Sequence, residues 1–128
     1  MITRCLLALA AAAVATAAVA DTYSQGGMPT FEATFTRSYA TRQFGSAGPF
    51  YPMTAAREGI AGDAVIQCHF AAGGHLAGCE VVSESPQGLY FGVAALHMAR
   101  LGAIIVTPDR PIPPGAPVRV HVPFQMGR

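Results

Sequence analysis

The sequence has no lysine, no C-x₂-C pair and no G-x-S-x-G elbow, and each absence narrows what the chain does. All eight positive residues are arginines, set against seven acidic ones, and charged residues make up only 12% of the chain. The all-arginine usage reflects genomic composition, and so thin a charge leaves no basic surface for nucleic acid. Without the elbow there is no serine-hydrolase signature, and no glycine loop is placed to cradle a phosphate. What remains is 128 residues, 52% of them hydrophobic, which is enough for one folded domain with extensions and too apolar for a disordered chain.

The long apolar run lies at the start. Residues 1–20, MITRCLLALAAAAVATAAVA, carry one positive charge at Arg4, an Ala/Leu-rich stretch from Cys5, and Ala18-Val19-Ala20 before Asp21. This is the pattern of a secretory signal peptide with an A-x-A cleavage site. An uncleaved inner-membrane anchor is the alternative reading, but the run falls short of the ~20 residues a membrane helix needs. Cys5 precedes the apolar run and makes a poor lipidation site. Cleavage removes Arg4 from the eight arginines, leaving seven against seven acidic residues, and removes Cys5 from the three cysteines, leaving Cys68 and Cys79. Two cysteines in an oxidising compartment read as a disulfide, and Cys68 to Cys79 is then the one intrachain pairing available.

Those cysteines sit on a predicted hairpin, Asp63 to Glu84, whose arms carry Val65, Ile66, Phe70, Val81 and Val82 around Gly73-Gly74. The glycine pair supplies the positive φ angles a tight turn requires. A two-residue turn sets Cys68 opposite Cys79; a bulged three-residue turn shifts the pairing by one.

Residues 21–50 hold Gly26-Gly27, Met28-Pro29, Gly45 and Gly48-Pro49 with no sustained periodicity, and read as an arm. Phe31, Ala33, Phe35 and Arg37 alternate weakly, so a strand there is the competing reading, and the aromatics Phe31, Phe35, Tyr39 and Phe44 imply that part of the arm packs. The folded domain spans 51–126. Tyr51-Pro52 opens it, and Thr54 is expected to cap a short helix through Arg57-Glu58 that stops at Gly59. After Ser85-Pro86, Phe91, Ala94, Ala95, Met98 and Leu101 recur at helical spacing within a predicted helix from Leu89 to Leu101. Its polar residues are few, chiefly His97 and Arg100, so most of its circumference must be covered. Thr107 to Ala116, with four prolines, forms a loop. Val118, Val120, Val122 and Phe124 then alternate with Arg119, His121, Pro123 and Gln125, a half-buried strand. Pro123 cannot donate to a ladder, which favours a sheet edge or a strand end. The expected class is α+β: a short helix, then β-β-α-β, a three-stranded antiparallel sheet in the order 2-1-3 packed on one longer helix, with strands two and three as edges.

The order and spacing of these features resemble the C-terminal domain of TonB, the periplasmic energy transducer, in its cysteine-containing form. The resemblance is carried by Tyr51-Pro52, Ala55, Gly59-Ile60, Gly62, the hairpin with Cys68, Gly74 and Cys79, and Glu84, Pro86 and Gly88. It continues through Phe91-Gly92, Ala94-Ala95-Leu96, Pro108, Gly115, Pro117-Val118 and Val122-Pro123-Phe124. It implies a periplasmic binding domain without a cofactor, whose last strand is offered to an extended N-terminal segment of an outer-membrane transporter. A free strand edge is independently suited to that role, since main-chain hydrogen bonds supply affinity and alternate side chains specificity. The expected partner-binding residues are Val118, Arg119, Val120, His121, Val122 and Gln125. A full transducer also has a membrane helix and a long spacer, whereas an arm of about thirty residues reaches only ~100 Å.

Three other functions have sequence features behind them. A structural envelope protein would use the arm to cover the same edge or to swap into a homodimer. Cys68, His69, His75 and Cys79 contain the donor types of a zinc site, though not its usual spacing. Ser83, Glu84 and Ser85 with a distant histidine sketch a hydrolase set, but Glu84 fits a strand end and His97 a packed or surface position.

Overall fold

A computed structural model describes residues 28–41 and 45–126; the expected signal peptide at 1–20, with Cys5, and Phe44 lie outside them. In chain order the elements are β1 (Thr30–Glu32), β2 (Thr34–Phe35), a 3₁₀ turn (Gly48–Phe50), α1 (Met53–Glu58), β3 (Gly62–Phe70) and a second 3₁₀ turn (Ala72–Gly74). They continue through β4 (Leu76–Ser85), α2 (Phe91–Arg100), β5 (Ile104–Ile105) and β6 (Pro117–Phe124). The main sheet has the order β1-β6-β3-β4, and β2 pairs with β5 in a small second ladder. Within it β4-β3-β6 is the expected antiparallel trio in the expected order, and the chain is α+β with its sheet packed on one longer helix.

The core follows from alternation. Val118, Val120, Val122 and Phe124 of β6 are all fully buried, as are Ile66 of β3 and Phe91, Ala95 and Met98 of α2. The Tyr51, Phe91 and Phe124 rings meet edge-on or tilted at centroid separations of 5.9, 5.7 and 5.0 Å, the geometry that aromatic quadrupoles favour. The Tyr51 hydroxyl donates to the Ile60 carbonyl at 2.6 Å, and burial pushes its pKa up. Gly62 is required beside this cluster, because a Cβ there would run into the Phe91 ring.

The hairpin turns through three residues, Ala72–Gly74, with Gly73 and Gly74 at φ 75° and 80°. Register begins at Phe70↔Leu76 and His69↔Ala77, then slips by one to Gln67↔Glu80. Gly78, at φ 58°, is the extra residue. The slip brings Cys79 opposite Cys68 with 4.1 Å between their Cα atoms, and the two are disulfide-bonded. A second slip near Val82 separates Ile66↔Val81 from Val65↔Ser83.

Several expectations need correction. Thr54 is not the cap of α1: the helix begins at Met53 with Pro52 as N-cap and no side-chain cap bond, and the Pro52 carbonyl accepts from the Ala56 N–H at 2.9 Å. Gly59, at φ 68°, ends α1 as expected. The longer helix starts at Phe91 rather than Leu89, because Tyr90 before it takes a left-handed φ of 67°. Leu101 falls beyond its end and is 60% exposed. The largest difference is in the arm. Residues 30–32 form β1, parallel to β6, so β6 is not an edge and the sheet is mixed and four-stranded. The reason is main-chain pairing: the outward Arg119 N–H donates to the Pro29 carbonyl and the Ala33 N–H to the His121 carbonyl, both at 2.9 Å.

Further along, the arm is tied down by β2 and by Thr36, whose N–H donates to the Ala103 carbonyl at 2.9 Å and whose hydroxyl reaches the Gly102 carbonyl at 3.1 Å. Its aromatics then run Phe35 to Tyr39 to Phe50 and end edge-on against His97 of α2 at 5.7 Å. His97 is thus a surface histidine in edge-on contact with Phe50.

A bridge between cysteines 11 residues apart constrains the unfolded chain by up to ~3 kcal/mol. Urea unfolding of the double variant Cys68→Ala/Cys79→Ala should accordingly show a loss of about 2–3 kcal/mol relative to the oxidised protein, with an unchanged native fold.

Candidate strand-exchange site on the last strand

β6 has two edges and two faces, and each is engaged differently. Its inner edge pairs with β3 from Gly62↔Phe124 to His69↔Pro117. Its inner face is the valine row already described, so of the expected binding residues Val118, Val120 and Val122 lie with their side chains in the core, leaving only their backbone at the edges. On the outer face Arg119 is exposed and His121 half-buried. Gln125 lies past the strand; its N–H donates to the Ser46 hydroxyl at 3.0 Å and its carbonyl accepts from the Ser46 N–H at 2.7 Å.

The outer edge is occupied by β1 in the register Thr30↔Arg119, Phe31↔Val120, Glu32↔His121. Phe31 packs against the core cluster, while Glu32 stands on the opposite face, as alternation requires. Pairing by β1 stops at His121, so Pro123, with no N–H to offer, falls beyond the covered length.

His121 joins three strands. Its Nδ1–H donates to both oxygens of Glu32 at 2.8 and 2.9 Å, and its Nε2–H donates to Oδ2 of Asp63 on β3 at 2.8 Å. Both ring nitrogens act as donors only in the imidazolium form. The Glu32 hydrogen bond, then that of Asp63, raises the His121 pKa, and partial burial works against them. Neither Glu32 nor Asp63 was marked by the sequence pattern. Only the outward position of His121 was visible there; that a carboxylate 89 residues away would stand opposite it depends on the parallel pairing of β1.

The other candidate residues are placed as follows. Cys68 and Cys79 are bonded to each other, so the two thiolates a zinc site would need are spent. His69 bonds the Gly115 carbonyl at 3.1 Å through Nδ1. Glu84 sits at the strand end with its carboxylate beside Gly92 in the first turn of α2, where a negative charge meets the positive end of the helix dipole. β4 leaves its outer edge without a strand among the described residues, and its two register slips bend it away from a flat template.

A small α+β unit whose terminal strand accepts a strand from outside the unit is a protein-interaction module. The Gram-negative bacterial TonB protein C-terminal domain matches residues 47–125, and the chain belongs to that family. TonB-type domains are periplasmic, cell-envelope interaction domains and not enzymes. No curated protein matches the chain. β1, at 30–32, lies before the matched region. No helix among the described residues is long and apolar enough to cross a membrane.

The raised His121 pKa has a definite sign for stability. The folded state favours the protonated ring, so its contribution is complete below the ordinary histidine value of about 6.5 and fades as pH rises through the raised folded value. The difference in urea midpoint between the wild type and His121→Gln should therefore be larger at pH 5.5 than at pH 8.5; a pH-independent difference would contradict the clasp.

Proposed function

We propose that the protein is a periplasmic binding module that takes an extended segment of an envelope partner, the N-terminal segment of an outer-membrane TonB-dependent transporter, as an added strand on β6, in energy-coupled transport. The observation that supports this most directly is the strand already there. β1 comes from outside the family domain, yet finds register, main-chain donors and an inward slot for Phe31 on that edge. An edge that holds a three-residue strand provides the hydrogen bonds a longer peptide would use. Val118 to Val122 supply the backbone, and Arg119, His121 and Gln125 the side chains along the path.

The arm also favours a second reading, a structural envelope protein in which residues 28–36 seal the edge or swap into a second copy. The two readings differ in what a loosened arm does. Phe31→Ala removes the apolar anchor of β1. If β6 is a binding edge, synthetic ten-residue extended peptides from transporter N-termini should shift the backbone amide resonances of Val118–Val122, about tenfold more tightly in the variant. Absence of peptide shifts in both chains, or a change from dimer to monomer on loosening the arm, would favour the sealing role.

Coupling to the inner membrane turns on the leader. N-terminal sequencing of the protein recovered from cells should return Asp21, giving a free module that acts as competitor, adaptor or accessory binder. Recovery of Met1 would instead support an anchored transducer facing the periplasm.

A further inference from the structure

We propose that β1 is a resident stand-in for the partner's docking strand, and that His121 reads a carboxylate in it: the incoming segment runs parallel to β6, with an apolar residue opposite Val120 followed by an acidic one opposite His121. This rests on strand addition at β6 and adds to it the chemistry of the partner. The register fixes the two positions, because Phe31 faces Val120 and Glu32 faces His121 in the parallel ladder. The inward position is apolar because it packs against the core cluster. The outward position is acidic because Nδ1 of His121 points at it.

Asp63 makes that second position selective. It belongs to β3 and stays when the arm leaves, and its 2.8 Å bond to Nε2 holds the imidazole so that Nδ1–H remains aimed at the open edge. With Glu32 gone, the ring has an unsatisfied donor facing whichever side chain follows the apolar residue of the new strand. A carboxylate there restores the bond and the charge pairing; an amide restores less. The groups facing the ring are Glu32 from β1 and Asp63 from β3, with Val65 opposite it on β3 uncharged. Arg119, two residues along the same face of β6, is the one cationic neighbour on its own strand. Glu32 is 71% exposed, so each carboxylate contact contributes a modest factor rather than an all-or-none lock. The selection is also proton-dependent. It holds while His121 is charged and declines as the ring loses its proton, and in the same pH range the arm itself loosens.

The test uses the full chain and two synthetic ten-residue peptides that differ only in Glu or Gln after the apolar residue, titrated into wild type, Glu32→Gln and His121→Gln. With Glu32→Gln, which frees the clasp without touching the core, the Glu peptide should bind about fivefold more tightly than the Gln peptide at pH 5.5. That ratio should fall toward one at pH 8.5 and be absent in His121→Gln. Should His121→Gln fail to fold, the collapse of the ratio with pH in Glu32→Gln carries the same information. Without any peptide, exchange of the Arg119 amide with solvent should quicken about fivefold in Glu32→Gln. Equal affinities at pH 5.5 alongside shifts in the β6 amides would overturn the carboxylate reading and leave strand addition standing. An unchanged Arg119 exchange rate would overturn the role of Glu32 in holding β1. No binding of either peptide to wild type or Glu32→Gln would overturn both readings together.

Discussion

Every backbone donor and acceptor on β6 needs a partner, and most of the structure follows from how that need is met. Towards β3 the pairing is antiparallel and eight residues long. Towards solvent the same strand presents the Arg119 N–H and the His121 carbonyl, groups that either stay hydrated or recruit another chain segment. The molecule recruits its own arm. Three residues of β1 meet this requirement, and the rest of the arm is positioned to deliver them: β2 docks on β5, Thr36 bonds the end of the α2 loop, and the aromatics from Phe35 to Phe50 lead the chain back into the domain.

The two sides of the sheet then have distinct roles. On the β4 side the disulfide and two bulges make a stapled, bent edge ill-suited to recruiting another strand. This matters in a domain of this size, where the apolar core by itself leaves little margin. On the β6 side the outer pairing is short, parallel and reinforced by a largely exposed carboxylate. Covalent stapling is thus at one side of the sheet, and the short three-residue pairing at the other.

What could be read from the sequence was what is local. The alternation of Val118 to Phe124, the glycines at the hairpin tip and at the end of α1, and the two remaining cysteines each act over a few residues, and they place the trio of strands, the buried valine row and the bridge. The signals that misled were also local: Thr54 has the right side chain for a cap but Pro52 already supplies the geometry, and Leu101 keeps the helical spacing one residue past the helix end. The weak alternation of Phe31, Ala33 and Phe35 allowed a strand in the arm, and the arm was an alternative cover for this edge. The register of β1, however, was out of reach for a different reason. Thr30-Phe31-Glu32 is too short to show a period of two, and its pairing crosses almost the whole chain, so only the tertiary structure could bring Glu32 to His121.

A tethered strand on a binding edge changes what affinity means. On the proposed binding role, β1 competes as an intramolecular strand at a high effective concentration, so a partner would be selected by how far its strand outperforms β1. Three backbone-paired residues and a largely exposed carboxylate are what a partner strand would have to outperform, and one that continues past Glu32 toward Pro123 would extend beyond the register that β1 occupies. The observed affinity is then the intrinsic affinity scaled by the fraction of molecules whose edge is open. Since His121 holds β1 most firmly when protonated, acid lowers that fraction while favouring an acidic residue in whatever strand arrives. On the binding role proposed above, the edge stays covered by β1 in the absence of a partner and yields to a strand that outperforms it.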